Sequence, residues 1–300
     1  MVASKLPGAP TDEFAPNLER RHLYGNIFMG ACAFGTVVGL AILFTLILRT
    51  FAQGLPFLNA QFFTNYPSLI NPDRAGIRSP LLGSICILVF TIMFSVPIGV
   101  GAAIYLEEYA PKNRFTQLLE LNISNLAGVP SVVYGILGLG LFVRVLGLGR
   151  VVLAGSMTMA LVILPVIIVA AREAIRAVPR SLREASYGLG ATKWQTVSNH
   201  VLPNAIPGIL TGVIIAVSRA IGDSASLLII GALTFITFDP SWPIWNQQFT
   251  VLPLQIYFWT GLPQDVYKEL AAAGIIVLLG LLISLNALAI FIRSRYEQKK

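Results

Sequence analysis

Residues 24–48 read YGNIFMGACAFGTVVGLAILFTLIL, twenty-five positions without one charged side chain. About 20 apolar residues in a helix cross the ~30 Å hydrocarbon core of a bilayer, so this run is a membrane span. Five further runs of this kind follow. The six spans are placed at 24–49, 79–106, 122–146, 151–171, 205–236 and 269–292. Each must be helical, because lipid offers no partner to an open backbone N–H or C=O. The strands of a membrane barrel would alternate apolar and polar residues over about ten positions, and these runs are continuous. Composition agrees. Of 300 residues, 55% are hydrophobic and only 12% charged, against roughly 25% charged in a soluble domain. The reading is an all-α membrane protein with six transmembrane helices over residues 24–292, flanked by tails at 1–23 and 293–300.

Residues 1–24 are polar, contain proline and lack the apolar core of a signal peptide, so the first span is expected to stay in the mature protein. Cys32 and Cys86 both lie in apolar runs and give no disulfide framework. The net charge of +7 is not the mark of a nucleic-acid partner, since the basic residues are not interleaved with exposed aromatics. It reflects orientation instead. With both termini inside, the inner segments hold 14 Lys and Arg and the outer segments 6, counting Arg49 and Arg144 at the outer span ends; Arg219, within the fifth span, completes the 21. Cytoplasmic loops collect such residues, so both termini are expected in the cytoplasm.

Two outer loops, 50–78 and 237–268, are rich in Pro, Asn, Gln and aromatics. Trp242, Trp245, Tyr257 and Trp259 suit a membrane–water boundary, or a docking surface for an external partner. The third span carries Gly128, Pro130, Gly135, Gly138 and Gly140. Small residues allow close helix packing in lipid, and Pro130 frees a carbonyl and can kink the segment. Tight packing explains this composition, as does a helix lining a pathway.

The inner loop 172–204 is the most informative. Ser181-Leu182-Arg183-Glu184 and Thr192-Lys193-Trp194-Gln195 both fit a capping box, in which the first side chain caps the helix and the fourth reaches back. Gly188 and Gly190 between them are stop points. Two short helices joined by a glycine turn are expected. The first presents Leu182, Ala185, Ser186 and Leu189, the second Trp194, Val197 and Val201. Such stripes pack either on the spans or in a partner's groove.

In the fifth span Gly212, Ala216, Arg219, Gly222, Asp223 and Ser226 share one face of a continuous helix. Arg219 and Asp223, four apart, are expected to touch. An arginine at this depth costs roughly 2.5–3.5 kcal/mol on the insertion scale and marks a functional site by default. Its planar fork suits the oxygens of an anion, and Asp223 would offset its charge when no anion is present. A structural ion pair between helices is the plainer reading.

These segments carry a resemblance. Glu184-Ala185-Ser186, three residues, Gly190, and then Leu202-Pro203 resemble the EAA motif of ABC importer permeases. Ser186 stands for the second alanine and His200 for the usual Ile or Val. Ser218-Arg219-Ala220-Ile221-Gly222-Asp223-Ser224-Ala225-Ser226-Leu227-Leu228 is similar to the A-R-A-x-G-E-T-A-P-L-L stretch of the phosphate-specific branch, PstA type. Asp223 replaces Glu, Ser224 replaces Thr and Ser226 replaces Pro. Leu126-Ala127-Gly128-Val129-Pro130-Ser131-Val132-Val133-Tyr134-Gly135 is similar to that branch's L-A-G-V-P-S-I-V-Y-G, and Gly76-Ile77-Arg78 with Leu82-Gly83-Ser84 resembles the stretch before its second span. The likeness covers most of residues 76–235.

The resemblance implies a type I (MetI-like) importer permease in the bacterial inner membrane. It implies a second homologous permease as heterodimer partner, two cytoplasmic ATPase subunits docked on the EAA loop, and an external phosphate-binding protein. Membrane lipid surrounds the chain. Glu184, Ala185, Gly190, Thr192 and Trp194 become ATPase-coupling residues. Arg219, Asp223, Ser224 and Ser226 become substrate-path residues. The chain has no G-x-x-x-x-G-K-[ST] stretch, so ATP and Mg belong to the partner and this chain binds no cofactor. Sulfate or molybdate is the alternative cargo. A gradient-driven transporter would show internal repeats and leave the EAA loop unexplained, and a scaffold would leave Arg219 and Asp223 unexplained. An enzyme finds no support: the two histidines, His22 and His200, sit near span boundaries, and no metal-ligand or nucleophile spacing occurs.

Overall fold

The structure is a computed structural model, and residues 18–232 and 235–297 are described. Every regular element among them is helical. The chain divides into two compact units at Arg49. The first contains most of α1 (Leu18–Gly54), a helix of 37 residues whose apolar side chains are exposed along its length. The expected tail 1–23 lies outside the described residues up to position 17, and Leu18 onward is already helical.

The second unit begins with the end of α1 and a short helix, α2 (Ala60–Thr64), capped by the Asn59 side chain on Phe62 N. α3 (Arg78–Ile104) continues through a π-helical turn, Tyr105–Tyr109. Next come α4 (Arg114–Leu126), and α5 (Ser131–Gly138) with its π-helical extension Leu139–Val145. α6 (Val152–Arg176) leads to α7 (Arg180–Gly188) and α8 (Lys193–Thr196). A π turn, Val197–Val201, joins α8 to α9 (Leu202–Gly222), followed by α10 (Ala225–Ile230). α11 (Leu252–Thr260) and α12 (Asp265–Glu297) close the chain.

Five stretches are long and apolar enough to cross a membrane: Arg20–Phe57, Arg78–Tyr109, Val152–Arg176, Lys193–Gly222 and Asp265–Arg295. Counting a bent pair as one span gives six. α4 and α5 meet at 103°, so the expected single span 122–146 is two helices. Pro130 stands at the bend: it lacks an N–H to continue the helix, and its own backbone is extended (φ −57°, ψ 137°). The expected span 205–236 is interrupted as well. α9 stops at Gly222, Asp223 is extended (φ −83°, ψ 106°), and α10 restarts two residues later.

α3, α6 and α9 form the centre of the second unit. Ile87, Met159, Ile163, Ile167, Ala216 and Leu254 are buried in one continuous cluster. Small residues bring these helices together. A Cβ on Gly212 would come within 2.3 Å of the Ala170 methyl, the close packing that small residues permit in lipid. Gly212 and Ala216 therefore face α6 as part of the core.

The two loops expected outside are folded against each other. Phe62, Ala75, Ile77, Leu252, Trp259, Tyr267 and Leu270 make a second buried cluster. Tyr267 Oη donates to Leu69 O at 2.7 Å, and Arg78 Nε donates to Asp239 Oδ1 at 3.0 Å. Trp259, read as a boundary anchor, is completely buried, while Trp242 is 78% exposed. Composition does not separate these two tryptophans. α11 does, by turning Trp259 inward.

Candidate functional site

Two breaks in helices lie against each other, and they are the two stretches singled out in the sequence. The first, Ala127–Pro130, separates α4 from α5. The second, Asp223–Ser224, separates α9 from α10. α5 and α10 pack closely because Gly135 has no side chain: a Cβ there would sit 2.8 Å from Ser226 O and 2.9 Å from its Cα. Gly138 plays the same part against Thr158.

Asp223 ties the breaks together. Its Oδ1 accepts from Ser131 Oγ at 3.1 Å and from Ala225 N at 3.0 Å, with a longer contact to Ser226 N at 3.5 Å. Its Oδ2 accepts from Ser226 Oγ at 3.0 Å. The carboxylate thus serves the open N–H groups of α10, as an N-cap side chain does, and holds the start of α5. Ser226 is fully buried behind it. Ser224 is half-buried and opens α10 through its carbonyl, which accepts from Leu228 N at 2.9 Å.

Arg219 stands one turn before the break and is exposed. Its Nη1 donates to Ala127 O at 3.2 Å, one of the carbonyls that the first break leaves outside helix bonding. The expected contact with Asp223 is not formed among the described residues: each group has other partners. The reason is the helix end at Gly222. Once Asp223 leaves the helix, the i,i+4 geometry that would join it to Arg219 is gone. The side chain is exposed, and the donors of a planar guanidinium that are not given to Ala127 O suit an anion's oxygens.

The loop between α6 and α9 is a second site. α8 begins with the expected capping box: Gln195 N donates to Thr192 Oγ1 at 3.3 Å, and Thr192 N to Gln195 Oε1 at 2.8 Å. The other box is absent. Pro179 is the N-cap of α7 and Arg180 its first residue, which puts Ser181 inside the helix. Glu184 is exposed on that helix. α7 ends at Gly188, and Gly190 turns with φ +81°, a left-handed conformation natural to glycine. Ser186 and Thr196, both buried, share a 2.8 Å hydrogen bond that pins α7 to α8. Leu182, Tyr187, Leu189 (90% exposed) and Trp194 (63%) remain on the outside, with Ala185 beside them. The stripe therefore divides: Ser186, Val197 and Val201 turn inward, and the larger side chains of α7 and Trp194 turn outward.

A family model described as the binding-protein-dependent transport system inner membrane component matches residues 95–298, which span both sites. The chain belongs to this family. It is an ABC importer permease of the binding-protein-dependent type, a transporter subunit and not an enzyme. The permease is 37% identical to the probable ABC transporter permease protein YqgI of Bacillus subtilis over 228 residues, 76% of each chain. It is 30% identical to the phosphate transport system permease protein PstA of Haemophilus influenzae over 285 residues, 93% of this chain and 96% of that one. Among solved structures, a bacterial ABC transporter involved in alginate import has a similar fold, with TM-score 0.62 at 15% identity over 91% of this chain and 99% of that one. The MetNI methionine transporter in an inward-facing form matches with TM-score 0.54 at 22% identity, over 71% of this chain and 92% of that one. These two likenesses support the all-helical importer fold.

Sequence reading did not find the roles of Ser131, Ala127 or the Ser186–Thr196 pair. Pro130 was the available signal for the first break. Nothing in the residue pattern marked the second, since Asp223 and Ser224 fit a helix turn as well as a break.

Proposed function

We propose that this permease carries inorganic phosphate inward, driven by ATP hydrolysed on a separate subunit. The observation that carries this reading is Arg219: a guanidinium within an apolar stretch, exposed, anchored by one carbonyl, with the nearby carboxylate engaged elsewhere. A cation so placed is available to a passing oxyanion. One compensating carbonyl keeps the attraction moderate, so that the ion can leave again. The relatives named as phosphate permeases support phosphate as the cargo. Asp223 acts by shaping the two breaks, and Ser131 and Ser224 set its surroundings.

The same reading places both termini and the α7–α8 loop in the cytoplasm of a bacterial cell, with loops 50–78 and 237–268 outside. The exposed Leu182, Tyr187, Leu189 and Trp194 form the seat for an ATPase, one of two in the complex. A second, related permease covers the flank that exposes Arg219, and an external binding protein delivers phosphate to the folded outer loops. ATP and Mg stay with the ATPase.

The test is ATP-dependent uptake of labelled phosphate into vesicles carrying the complex, with excess unlabelled sulfate as competitor. Uptake that resists sulfate supports phosphate; uptake that sulfate abolishes points to a different oxyanion. Arg219→Gln removes a charged donor worth about 1.5–3 kcal/mol, so uptake should fall roughly 10- to 100-fold with assembly intact. Normal uptake by that variant removes Arg219 from the path.

A further inference from the structure

The π turn at the end of α3 reaches the last turns of α6 and both short helices that follow it, α7 and α8. Glu107 accepts from Arg172 Nε at 3.2 Å and Arg176 Nη2 at 3.1 Å, both on the last turns of α6. Arg172 Nη2 also reaches Glu120 of α4 at 2.8 Å. Glu108 accepts from Arg183 of α7 through Nε at 3.0 Å and Nη2 at 2.7 Å. Lys193, the first residue of α8, lies over the Tyr109 ring at 4.9 Å. Three consecutive side chains thus reach three different helices, which the wider π turn makes possible. Such turns often occur where a helix has a task beyond packing.

Arg183 is the centre of this arrangement. Besides Glu108, it donates to Val178 O at 2.7 Å and Ile175 O at 3.0 Å, the carbonyls at the end of α6. Both members of the pair are nearly buried, with side chains 16% and 7% exposed. Apolar packing does not fill the space beside them. A cavity of about 520 Å³, lined by Glu108, Lys112, Gln117, Arg180 and Arg183 among others, separates α7 from the α3–α4 connection. The Glu108–Arg183 pair spans this gap.

The geometry points to Glu108 and Arg183 as the joint through which displacement of α7 and α8 reaches α3 and α6, and through them the broken helices at Arg219. They are positioning residues: neither lies in the exposed apolar seat of α7 and α8, and neither touches the path. Two N–H groups of Arg183 converge on one oxygen of Glu108, Oε1, and two more bonds hold the guanidinium to the end of α6, so this nearly buried pair moves as one piece. A cavity without it would let α7 shift while α3 stayed still. This rests on the docking role proposed above for α7 and α8.

The test uses the whole complex, with a reporter at Gly222→Cys, an exposed position where a Cβ meets no atom within 4 Å. Cys32 and Cys86 are replaced by Ala. Labelling by a water-soluble maleimide is measured with and without ATP plus vanadate, in the parent, in Glu108→Gln and in Arg183→Ala. ATPase co-purification and hydrolysis are measured on the same samples. We expect all three to retain the ATPase and hydrolyse ATP. The parent's nucleotide-dependent change in labelling rate should fall at least about fivefold in Arg183→Ala and by less in Glu108→Gln, on the usual scale of coupling between sites. An equal response in all three, or none in the parent, overturns the joint. Loss of ATPase capture in Arg183→Ala with normal capture in Glu108→Gln makes Arg183 part of the seat and also overturns it. If Arg183→Ala does not assemble, Glu108→Gln decides alone: an unchanged response refutes the joint. Failure of the parent to hold an ATPase removes the docking reading, and the joint with it. Labelling does not depend on which ion is carried, so an error in the phosphate reading leaves this result standing.

Discussion

Replacing Asp223 by Asn should be mild and replacing it by Ala severe, because the carboxylate caps a helix and does not balance Arg219. In Asp223→Asn the amide oxygen keeps the Oδ1 contacts to Ser131 Oγ and Ala225 N, and the NH₂ group takes the place of Oδ2 toward Ser226 Oγ. Asn and Asp are near-equal as N-caps. The loss is then the difference between charged and neutral hydrogen bonds, about 1 kcal/mol. In Asp223→Ala every one of these contacts goes. The cap contributes about 0.5–2 kcal/mol, and a buried hydroxyl left without its acceptor costs about 1–3 kcal/mol. Ser226 is fully buried, which puts the upper part of that range in play, although its Oγ keeps a 3.2 Å contact to Met159 Sδ. Together the expected loss is about 2–4 kcal/mol. Thermal unfolding of the purified complex in nanodiscs, followed alongside phosphate uptake, reads both. Asp223→Asn should sit close to the parent in stability and keep most uptake, and Asp223→Ala should unfold well below both. If Asp223→Asn loses uptake as completely as Asp223→Ala while remaining stable, the charge itself is needed and the capping argument fails.

Gly135→Ala forces its new methyl against Ser226 backbone. Overpacking of this kind costs about 1–3 kcal/mol, and it should lower uptake without loss of ATPase capture, as measured on the purified complex. Gly190→Ala strains a left-handed turn by about 1–2 kcal/mol; ATPase co-purification should weaken while stability of the transmembrane part, read by unfolding, barely moves. Thr192→Ala removes one side of a formed capping box, worth about 1 kcal/mol. Hydrogen exchange over residues 192–196 should accelerate, and exchange in α6 should not.

The sequence already contained the spans, because uninterrupted apolar length is a one-dimensional signal that the bilayer reads directly. It also contained the α7–α8 turn: Thr192, Gln195 and Gly190 act through local geometry alone. Ser181–Glu184 shows the limit of such motifs, since Pro179, two residues earlier, starts the helix first. The site was legible in its residues and not in its shape. Arg219 drew attention as an intramembrane charge, but its partner was misassigned, because helical spacing holds only while the helix continues. At Asp223 it does not, and the side chain there is held by Ser131 and Ser226 instead of Arg219. Glu107 and Glu108 drew no attention, since a carboxylate at a span boundary looks the same solvated or paired. Trp259 and Trp242 make the same point for the outer loops.

The flank that exposes Arg219 beside the two interrupted helices has a meaning for the life of the protein in the cell. Under the proposed pairing with a second permease, a lone copy in lipid would leave the Arg219 guanidinium, held by the single carbonyl of Ala127, without the cover of its partner. Such a copy is an unfinished product. On the pairing proposed above, synthesis of this chain is expected to keep step with that of the companion permease, and an unmatched surplus should be short-lived. Pulse-chase turnover, with and without the companion permease co-expressed, measures that dependence.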